Sequence, residues 1–195
     1  PLPPYIKRDA VPSDKENYQT IFAQTDGSVA APTAGLHFTP ALVKKIEKLG
    51  AKVVPVILHI GLGTFRPVEV EDLTKHRMDS EYFEIPEETA KIINKALDDK
   101  KNVFVVGTST CRAIESSVTA DGFAKPNYGW TDKFIFPPYD FKVTKKLVTN
   151  FHQPESTLMM LAAAFAGYDL IMKAYKKALK DGYRFLSYGD AMLII

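Results

Sequence analysis

The sequence of 195 residues contains little cysteine, little net charge and no long apolar run. Because Cys111 is the single cysteine, the chain can form no intrachain disulfide and no metal site built from several thiolates. The formal net charge of +2 is too small for a protein that coats nucleic acid without sequence preference, although it permits a shaped RNA or nucleotide site. The longest apolar run, residues 158–166, is far shorter than the roughly 20 residues of a membrane span. We therefore expect a cytoplasmic protein that does not cross a membrane.

Several short motifs that reveal a ligand are missing as well. The sequence has no Walker motif, no G-x-G-x-x-G dinucleotide motif and no H-E-x-x-H metalloprotease motif. None of the four histidines is paired with another at the i, i+4 spacing of a helical metal site. No bound metal is therefore expected.

Apolar segments of strand length alternate with segments of helical period, which is typical of an α/β protein. The sequence predicts strands within residues 52–60, 102–110, 133–139, 146–151 and 188–195. It predicts helices within residues 40–49, 86–101, 111–117, 156–167 and 169–182. Thr39, Pro40 and Gly50 suit the N-cap, the first position and the end of the first helix. We expect one domain with a mostly parallel sheet flanked by helices, either a layered α/β/α arrangement or a partial barrel.

Ligands of open α/β sheets collect beyond the carboxyl ends of the strands, and the turn after residue 106 is a candidate for such a site. Gly107 allows a ligand to approach the backbone, and Thr108 and Ser109 precede a helix whose free N–H groups favour an anion. Arg112 and Glu115, three positions apart, share one helix face. Such turns are also common where nothing binds, so both interpretations stay open.

Three histidines occupy positions where a titratable ring can meet a ligand. His37 and His59 lie beside glycines at the ends of predicted elements, and His152 lies between a strand end and a helix start. Each position suits a core histidine that is hydrogen-bonded within the protein equally well. His76 is predicted to be a solvated loop residue without a role.

Four carboxylates are further candidates. Asp79 and Glu81 flank Ser80 and point the same way if the segment is a strand, so one of them is a candidate general base near a ligand hydroxyl. The alternative is a solvated strand face. Asp132 follows the only tryptophan, and Asp190 lies where a turn meets a predicted strand.

Seven segments of the chain, taken in order, carry a family resemblance. They are "YQTIFAQTDGSVAAPTAGLHFT", "HIGLGTFRPV", "MDSEYFEI", "VGTSTCRAIES", "TDKFIFPPYDFKV", "LVTNFHQPESTLMMLAAAFAG" and "YRFLSYGDAMLI". Together they resemble the S-adenosylmethionine:tRNA ribosyltransferase-isomerases of queuosine biosynthesis, and the resemblance covers residues 1–195. Three positions depart from the family pattern: Asp79 replaces an expected His, Gln153 an expected Leu and Glu155 an expected Lys.

The resemblance implies that the chain is the carboxyl-terminal part of the larger, catalytic α/β domain. Family members carry an amino-terminal stretch and a small inserted β-barrel ahead of the segment that matches "PLPPYIKR". The chain begins at that segment without an initiator methionine, so we expect it to be a fragment that lacks the barrel.

The reaction that the resemblance implies uses S-adenosylmethionine as a ribosyl donor. The ribosyl part is transferred and isomerised onto 7-aminomethyl-7-deazaguanine at the wobble position of the tRNA anticodon, giving epoxyqueuosine and releasing adenine and methionine. S-adenosylmethionine is then a co-substrate, and no metal or redox cofactor is required. The expected partners are the donor and the tRNA anticodon loop, and the expected state is a monomer.

The resemblance also suggests roles for residues. His37 and His59 are the leading acid–base candidates, followed by Glu81 and Glu115, in one pocket at a rim of the sheet. Residues 28–38 include several with small side chains, so the nucleoside would lie against their backbone. The candidate binding residues are Ala34, Gly35, Thr64, Ser80, Gly107, Thr108, Ser109, Arg112, Asp132, His152, Tyr188 and Asp190.

Two alternatives to this function remain open. One is a nucleoside-cleaving transferase that acts on a free nucleoside or on another RNA. The other is a fragment that binds RNA or nucleoside without catalysis.

Overall fold

A computed structural model describes residues 2–3, 5–61, 63 and 66–195. The helices within this part are α1 (Asp14–Asn17), α2 (Pro40–Lys48), α3 (Glu87–Asp98), α4 (Thr108–Ser116), α5 (Thr157–Ala166) and α6 (Tyr168–Lys180). The strands are β1 (Ile57–His59), β2 (Glu81–Ile85), β3 (Phe104–Val106), β4 (Asn127–Thr131), β5 (Lys146–Asn150) and β6 (Ala191–Ile194). Short 3₁₀ helices cover Thr33–His37 and Leu73–Lys75.

The described strands form two sheets of three strands each, in the orders β1-β2-β4 and β3-β5-β6. The first sheet is antiparallel throughout. In the second sheet β3 and β5 are parallel, whereas β5 and β6 are antiparallel. The α/β class is therefore confirmed, but the expectation of a mostly parallel sheet is wrong. The two sheets do not close into a barrel within the described residues.

Prolines explain why two predicted strands are shorter than expected or absent. A strand was expected over residues 52–60, but β1 covers three residues, because Pro55 has no N–H to donate to a ladder. Residues 133–139 form no strand, and this segment contains Pro137 and Pro138. Its apolar side chains still pack inward: Ile135 is 1% exposed. The apolar pattern of this segment therefore predicted a strand that the structure does not contain.

Helix boundaries follow the capping chemistry of the sequence. The Thr39 hydroxyl accepts a hydrogen bond from the Leu42 N–H at 3.2 Å, and Pro40 occupies the first helical position of α2. The Ser156 hydroxyl likewise accepts from the Met159 N–H at the start of α5. Both caps satisfy an N–H group that has no partner within its own helix. The predicted start of α2 is confirmed.

Helix α4 is the central element of the core. It packs against β1, β2 and β4 of one sheet and against β3 of the other. Cys111, Ala113 and Ile114 of α4 share one buried cluster with Phe83 of β2 and Leu147 of β5. Because α4 begins directly after β3, this packing fixes its first turn at the end of the second sheet.

Among the described residues, no single helix is long and apolar enough to cross a membrane. Helices α5 and α6 meet the length and composition criteria only as a pair, and the chain bends by 114° between them.

Candidate active-site cleft

A cleft lies where β3 and β5 end, opposite the segment that contains the first 3₁₀ helix. The cavity volume of this cleft is about 70 Å³, and the empty space is about 730 Å³ when the open solvent at its mouth is included. None of the described lining residues is Asp, Glu, Lys or Arg. The lining residues are Tyr5, residues 30–34, Ile60, Gly107, Thr108, Ser109, residues 149–153, Ser156, Leu158, Leu186 and Ser187.

The start of α4 forms one wall of the cleft. Gly107 precedes the helix with a φ of 92°, a conformation that suits glycine, and its N–H donates to the Val148 carbonyl of β5 at 2.9 Å. Thr108 and Ser109 are buried in the first turn, where helical N–H groups have no intrahelical acceptor. The prediction that Gly107, Thr108 and Ser109 lie together at a strand end is confirmed, while ligand binding by them stays a prediction.

The end of β5 and the residues after it supply buried polar groups. The Thr149 hydroxyl lies 2.7 Å from His152 Nε2, and the His152 N–H donates to the Tyr175 hydroxyl at 2.9 Å. Burial lowers the pKa of His152 to about 4, so the ring is neutral at physiological pH. His152 therefore presents an uncharged, fixed imidazole to the cleft.

His37 is not one of the residues that line the cleft, but it contacts one of them, Asn150. In a 3₁₀ helix residues three apart are eclipsed, so His37 follows Ala34, a lining residue, on one face. Its ring is exposed, and Nε2 lies 3.3 Å from Nδ2 of Asn150. The other side-chain atom of that amide, Asn150 Oδ1, accepts a hydrogen bond from the Thr33 hydroxyl at 3.0 Å. The chain Thr33–Asn150–His37 thus ties the first 3₁₀ helix to the end of β5.

His59 does not line the cleft either, so the expected single pocket with His37, His59 and Gly107 is wrong for both histidines: of the three residues, Gly107 lines it. Side chains alternate along a strand, and the neighbouring Ile60 is the residue that faces the cleft. The His59 ring packs on Tyr82 with centroids 5.4 Å apart. A Cβ added to Gly27 would lie 2.6 Å from His59 Cε1, so the bare backbone beside this histidine makes room for the ring.

Glu81 and Arg112 form a buried ion pair instead of facing a ligand. Arg112 Nη1 lies 2.7 Å from Glu81 Oε2, with side-chain exposures of 3% and 7%. The guanidinium also donates to the Lys133 carbonyl at 2.9 Å and to the Thr131 carbonyl at 3.4 Å. Burial lowers the pKa of Arg112. The geometry contradicts the expectation that Arg112 is open to a carboxylate or phosphate, because the side chain is buried and each of its three nitrogens already donates to a protein oxygen.

Glu115 is also engaged by the protein. Its Oε1 accepts from the N–H groups of Val143 and Thr144 at 3.1 and 2.9 Å, and its Oε2 accepts from Lys142 N–H at 3.1 Å. Glu115 is 3% exposed and does not line the cleft. This carboxylate therefore holds the loop before β5 against α4. The three-residue spacing between Arg112 and Glu115 in the sequence does not indicate this structural role.

Most of the other predicted binding residues lie away from the cleft lining. Ser80 and Asp132 are exposed. The Tyr188 hydroxyl donates to Asp14 at 3.3 Å, and Asp190 accepts from the Arg184 N–H at 2.7 Å. These contacts stabilise the chain termini and a turn, respectively, and none of the four residues lines the cleft.

Three further positions complete the set of predictions. Gly35 is buried beside Thr20, where an added Cβ would lie 2.9 Å from the Thr20 methyl group. Asp79, which departs from the family pattern, pairs with Arg66 at 3.3 Å on the surface. Thr64 lies outside the described residues, so its predicted role stays a prediction.

Sequence reasoning missed the polar residues Thr33, Thr149 and Asn150. Thr149 and Asn150 lie next to the end of the predicted strand 146–151, so the rule that ligands lie beyond strand ends would have found them. Thr33 carried no such signal. Among the described residues no three His, Cys, Asp or Glu side chains are grouped so that they could hold a metal ion.

The fold and the cleft define an α/β protein with an uncharged candidate site at strand ends. A model of the family described as "Queuosine biosynthesis protein" matches residues 1–194. The chain therefore belongs to the queuosine biosynthesis protein family.

Curated relatives support the same family. The S-adenosylmethionine:tRNA ribosyltransferase-isomerases of Cytophaga hutchinsonii and Chloroherpeton thalassium are 61% and 58% identical to the chain over 195 residues. Each match covers 100% of the chain and 56% of the relative, so the chain spans about half the length of the curated relatives it matches.

A solved structure has a similar fold. The crystal structure of the S-adenosylmethionine tRNA ribosyltransferase from Thermotoga maritima matches with a TM-score of 0.68 and 41% identity. The match covers 84% of the chain and 51% of that structure's chain.

Proposed function

We propose that the chain forms part of the catalytic domain of a tRNA-modifying transferase-isomerase. It moves the ribosyl part of S-adenosylmethionine to 7-aminomethyl-7-deazaguanine at the tRNA wobble position, giving epoxyqueuosine and releasing adenine and methionine. Family membership and relatives of this name at 61% and 58% identity support the proposal. The observation that carries it is the cleft, because its residues match the chemistry of this donor.

The donor is a nucleoside with a positively charged sulfonium. Small residues at positions 30, 31 and 34 and Gly107 let its flat base and ribose approach the backbone. The hydroxyls of Thr108 and Ser109 and the amide of Asn150 supply donors and acceptors for ribose hydroxyls and for the polar ends of methionine. The absence of Lys and Arg from the described lining avoids repulsion of the sulfonium.

The chemistry needs a base that removes an acidic proton beside the sulfonium and a group that helps adenine to leave. The titratable side chains of the described lining are those of His152 and Tyr5. Burial keeps His152 neutral, which suits binding. His37, which is exposed beside the cleft and contacts the lining residue Asn150, is therefore our leading candidate for contact with the reacting nucleoside.

Adenine release from S-adenosylmethionine tests the proposal in the intact protein, with tRNA that carries the aminomethyl base. We expect His37→Ala to lower kcat by about 100-fold or more, the range for loss of a positioned acid–base group. His76→Ala is the matched control, since His76 packs against Phe134, which does not line the cleft, whereas His37 contacts the lining residue Asn150. It should change kcat less than about threefold, as substitutions remote from the reacting atoms do.

Three outcomes would contradict the proposal. Unchanged adenine release in His37→Ala would show that His37 takes no part in the reaction. Release that does not depend on the modified tRNA would favour a transferase acting on another nucleoside. Retention of tRNA without any release of adenine would favour a binding module.

A further inference from the structure

We infer that the first turn of α4 is an anion-binding site and that it holds the carboxylate at the methionine end of S-adenosylmethionine. The identity of the anion rests on the proposed function, whereas the presence of an anion site does not. The sequence suggested Arg112 as the partner of an anion, but Arg112 is buried and already paired with Glu81. In the structure, backbone N–H groups and two hydroxyls at the start of the helix take that place.

The backbone N–H groups at the start of α4 lack acceptors. The first hydrogen bond of the helix joins the Cys111 N–H to the Gly107 carbonyl at 3.1 Å. The N–H groups of residues 108–110, which lie between them, have no acceptor in the described part of the chain. Side-chain oxygens of Thr39 and Ser156 cap α2 and α5, whereas no described side chain caps α4. Such N–H groups in a buried first turn are satisfied by a ligand or by ordered water.

Two buried hydroxyl groups beside these N–H groups also lack a partner. Thr108 and Ser109 are 6% and 8% exposed. Among the described residues, neither side-chain oxygen makes a hydrogen bond, and neither is fully enclosed by protein atoms. Because both residues line the cleft, both oxygens are open to it. Polar groups buried this far are nearly always hydrogen-bonded, so these hydroxyls indicate a ligand, to which each can donate.

The surroundings of the first turn suit a negative charge. The dipole of α4 places partial positive charge at this end of the helix. Gly107, directly before the helix, has no side chain that could cover the N–H groups. No described lining residue is Asp or Glu, so no carboxylate of the described lining repels an anion here.

The small volume of the cleft favours a carboxylate over a phosphate of RNA. The cavity of about 70 Å³ accommodates a few water-sized groups. A carboxylate at the end of a flexible chain can enter such a space, whereas an RNA phosphate has a ribose on each side and needs a wider opening. The carboxylate is the one anionic group of S-adenosylmethionine. It is therefore the part of the donor that we assign to this turn.

Thr108→Pro tests the site, because proline removes one free N–H group and is still favoured at the first position of a helix. The ψ of 145° at Gly107 suits a residue that precedes proline. Thr108→Ala removes the hydroxyl and keeps the N–H group, so the two variants together isolate the contribution of the N–H. Isothermal titration calorimetry of the intact protein measures Kd for S-adenosylmethionine and for decarboxylated S-adenosylmethionine, in which hydrogen replaces the carboxylate.

We expect the unsubstituted protein to bind S-adenosylmethionine about 30-fold or more tightly than the decarboxylated compound, within the range for hydrogen bonds to a charged group. Thr108→Pro should lower this preference by about tenfold and Thr108→Ala by about threefold, since the N–H group and the hydroxyl each contribute. Binding of the decarboxylated compound should not change. A preference in Thr108→Pro as large as in Thr108→Ala would overturn the inference, and so would equal binding of both compounds by the unsubstituted protein.

Tyr168→Pro is the matched control. Tyr168 is the first residue of α6 and follows Gly167, whose φ of 88° and ψ of 140° nearly equal the 92° and 145° of Gly107. Tyr168 does not line the cleft, so the substitution should leave both dissociation constants unchanged within about twofold. A loss of preference equal to that of Thr108→Pro would assign the effect to proline itself and overturn the inference. Ser109→Ala repeats the test without a backbone change, with an expected loss of about threefold in the preference. An unchanged preference in Ser109→Ala would contradict the inference even if Thr108→Pro did not fold.

Binding of the tRNA that carries the aminomethyl base distinguishes the two sources of an anion. Weaker tRNA binding by Thr108→Pro, with an unchanged preference for S-adenosylmethionine over the decarboxylated compound, would assign the turn to an RNA phosphate and overturn the carboxylate. If the preference behaves as expected but the unsubstituted protein releases no adenine, the proposed function fails and the carboxylate site stands. If adenine is released while both compounds bind equally, the proposed function stands and the carboxylate site fails.

Discussion

Two regions of the molecule bury polar side chains in different ways. The ion pair of Glu81 and Arg112 joins β2 to α4, and protein atoms surround both charges. The end of β5 instead buries the uncharged groups of Thr149, Asn150 and His152 beside an open cleft. Charge is thus concentrated where no ligand can enter, and neutral groups line the place where one can.

The difference separates structure from candidate function. A buried charge needs complete compensation, so Arg112 takes a carboxylate and two carbonyl groups as partners. A neutral hydroxyl, amide or imidazole needs fewer partners and can keep some hydrogen-bonding capacity for a ligand. Perturbed charged residues in this protein therefore indicate the scaffold, although such residues often indicate active sites.

The largest effect on the free energy of unfolding is expected from breaking the ion pair of Glu81 and Arg112. Arg112→Met leaves the carboxylate of Glu81 buried without its cation, and we expect a loss of about 3–5 kcal/mol in the free energy of unfolding. Denaturant unfolding of the intact protein measures this loss. The double variant Glu81→Gln/Arg112→Met removes both charges and should recover part of it. A loss below about 1 kcal/mol in the single variant, as for an exposed ion pair, would show that the charges are not isolated from water.

A smaller effect on the free energy of unfolding is expected from His152, whose neutral ring is buried. The pKa in the folded state is about 4, below the unfolded value near 6.5, so the unfolded state binds more protons between these pH values. Stability is therefore complete above about pH 6.5 and falls as the pH drops toward 4. One pKa unit corresponds to about 1.4 kcal/mol, so this group contributes roughly 3 kcal/mol to the fall.

The contribution of His152 is measured from the unfolding free energies of the unsubstituted protein and of His152→Gln, each at pH 7 and at pH 4. Gln does not titrate, so the variant should lose less stability on acidification than the unsubstituted protein. Parallel pH profiles for the two proteins would mean that His152 does not remain neutral.

The smallest effect is expected at Tyr188, which belongs to neither buried region. Its ring is 40% exposed, and its hydroxyl makes a long bond of 3.3 Å to Asp14, which Arg8 already holds by two bonds of 2.7 Å. Tyr188→Phe should change the unfolding free energy by less than about 0.5 kcal/mol, as surface substitutions usually do, and should leave adenine release unchanged. A large loss of adenine release in Tyr188→Phe would instead show that Tyr188 contributes to the site.

The sequence predicted the local features well. The N-cap at Thr39, the glycine turn at Gly107 and the strand ending at Asn150 depend on side-chain chemistry and apolar pattern over a few residues. The family resemblance came from motifs of the same local kind.

Tertiary structure decided the direction of the strands and the partners of the polar residues. A β-branched apolar run does not specify whether its neighbour runs parallel or antiparallel, because both pairings bury the same side chains. Arg112 is 31 positions from Glu81, and Asn150 is 113 positions from His37, so no spacing rule brings these pairs together. Packing of α4 between the two sheets hides Arg112 and the acids near it, and the end of β5 brings Asn150 to the cleft. The local sequence pattern determines where helices, turns and strands form, whereas contacts between distant segments determine which side chains remain accessible to a ligand.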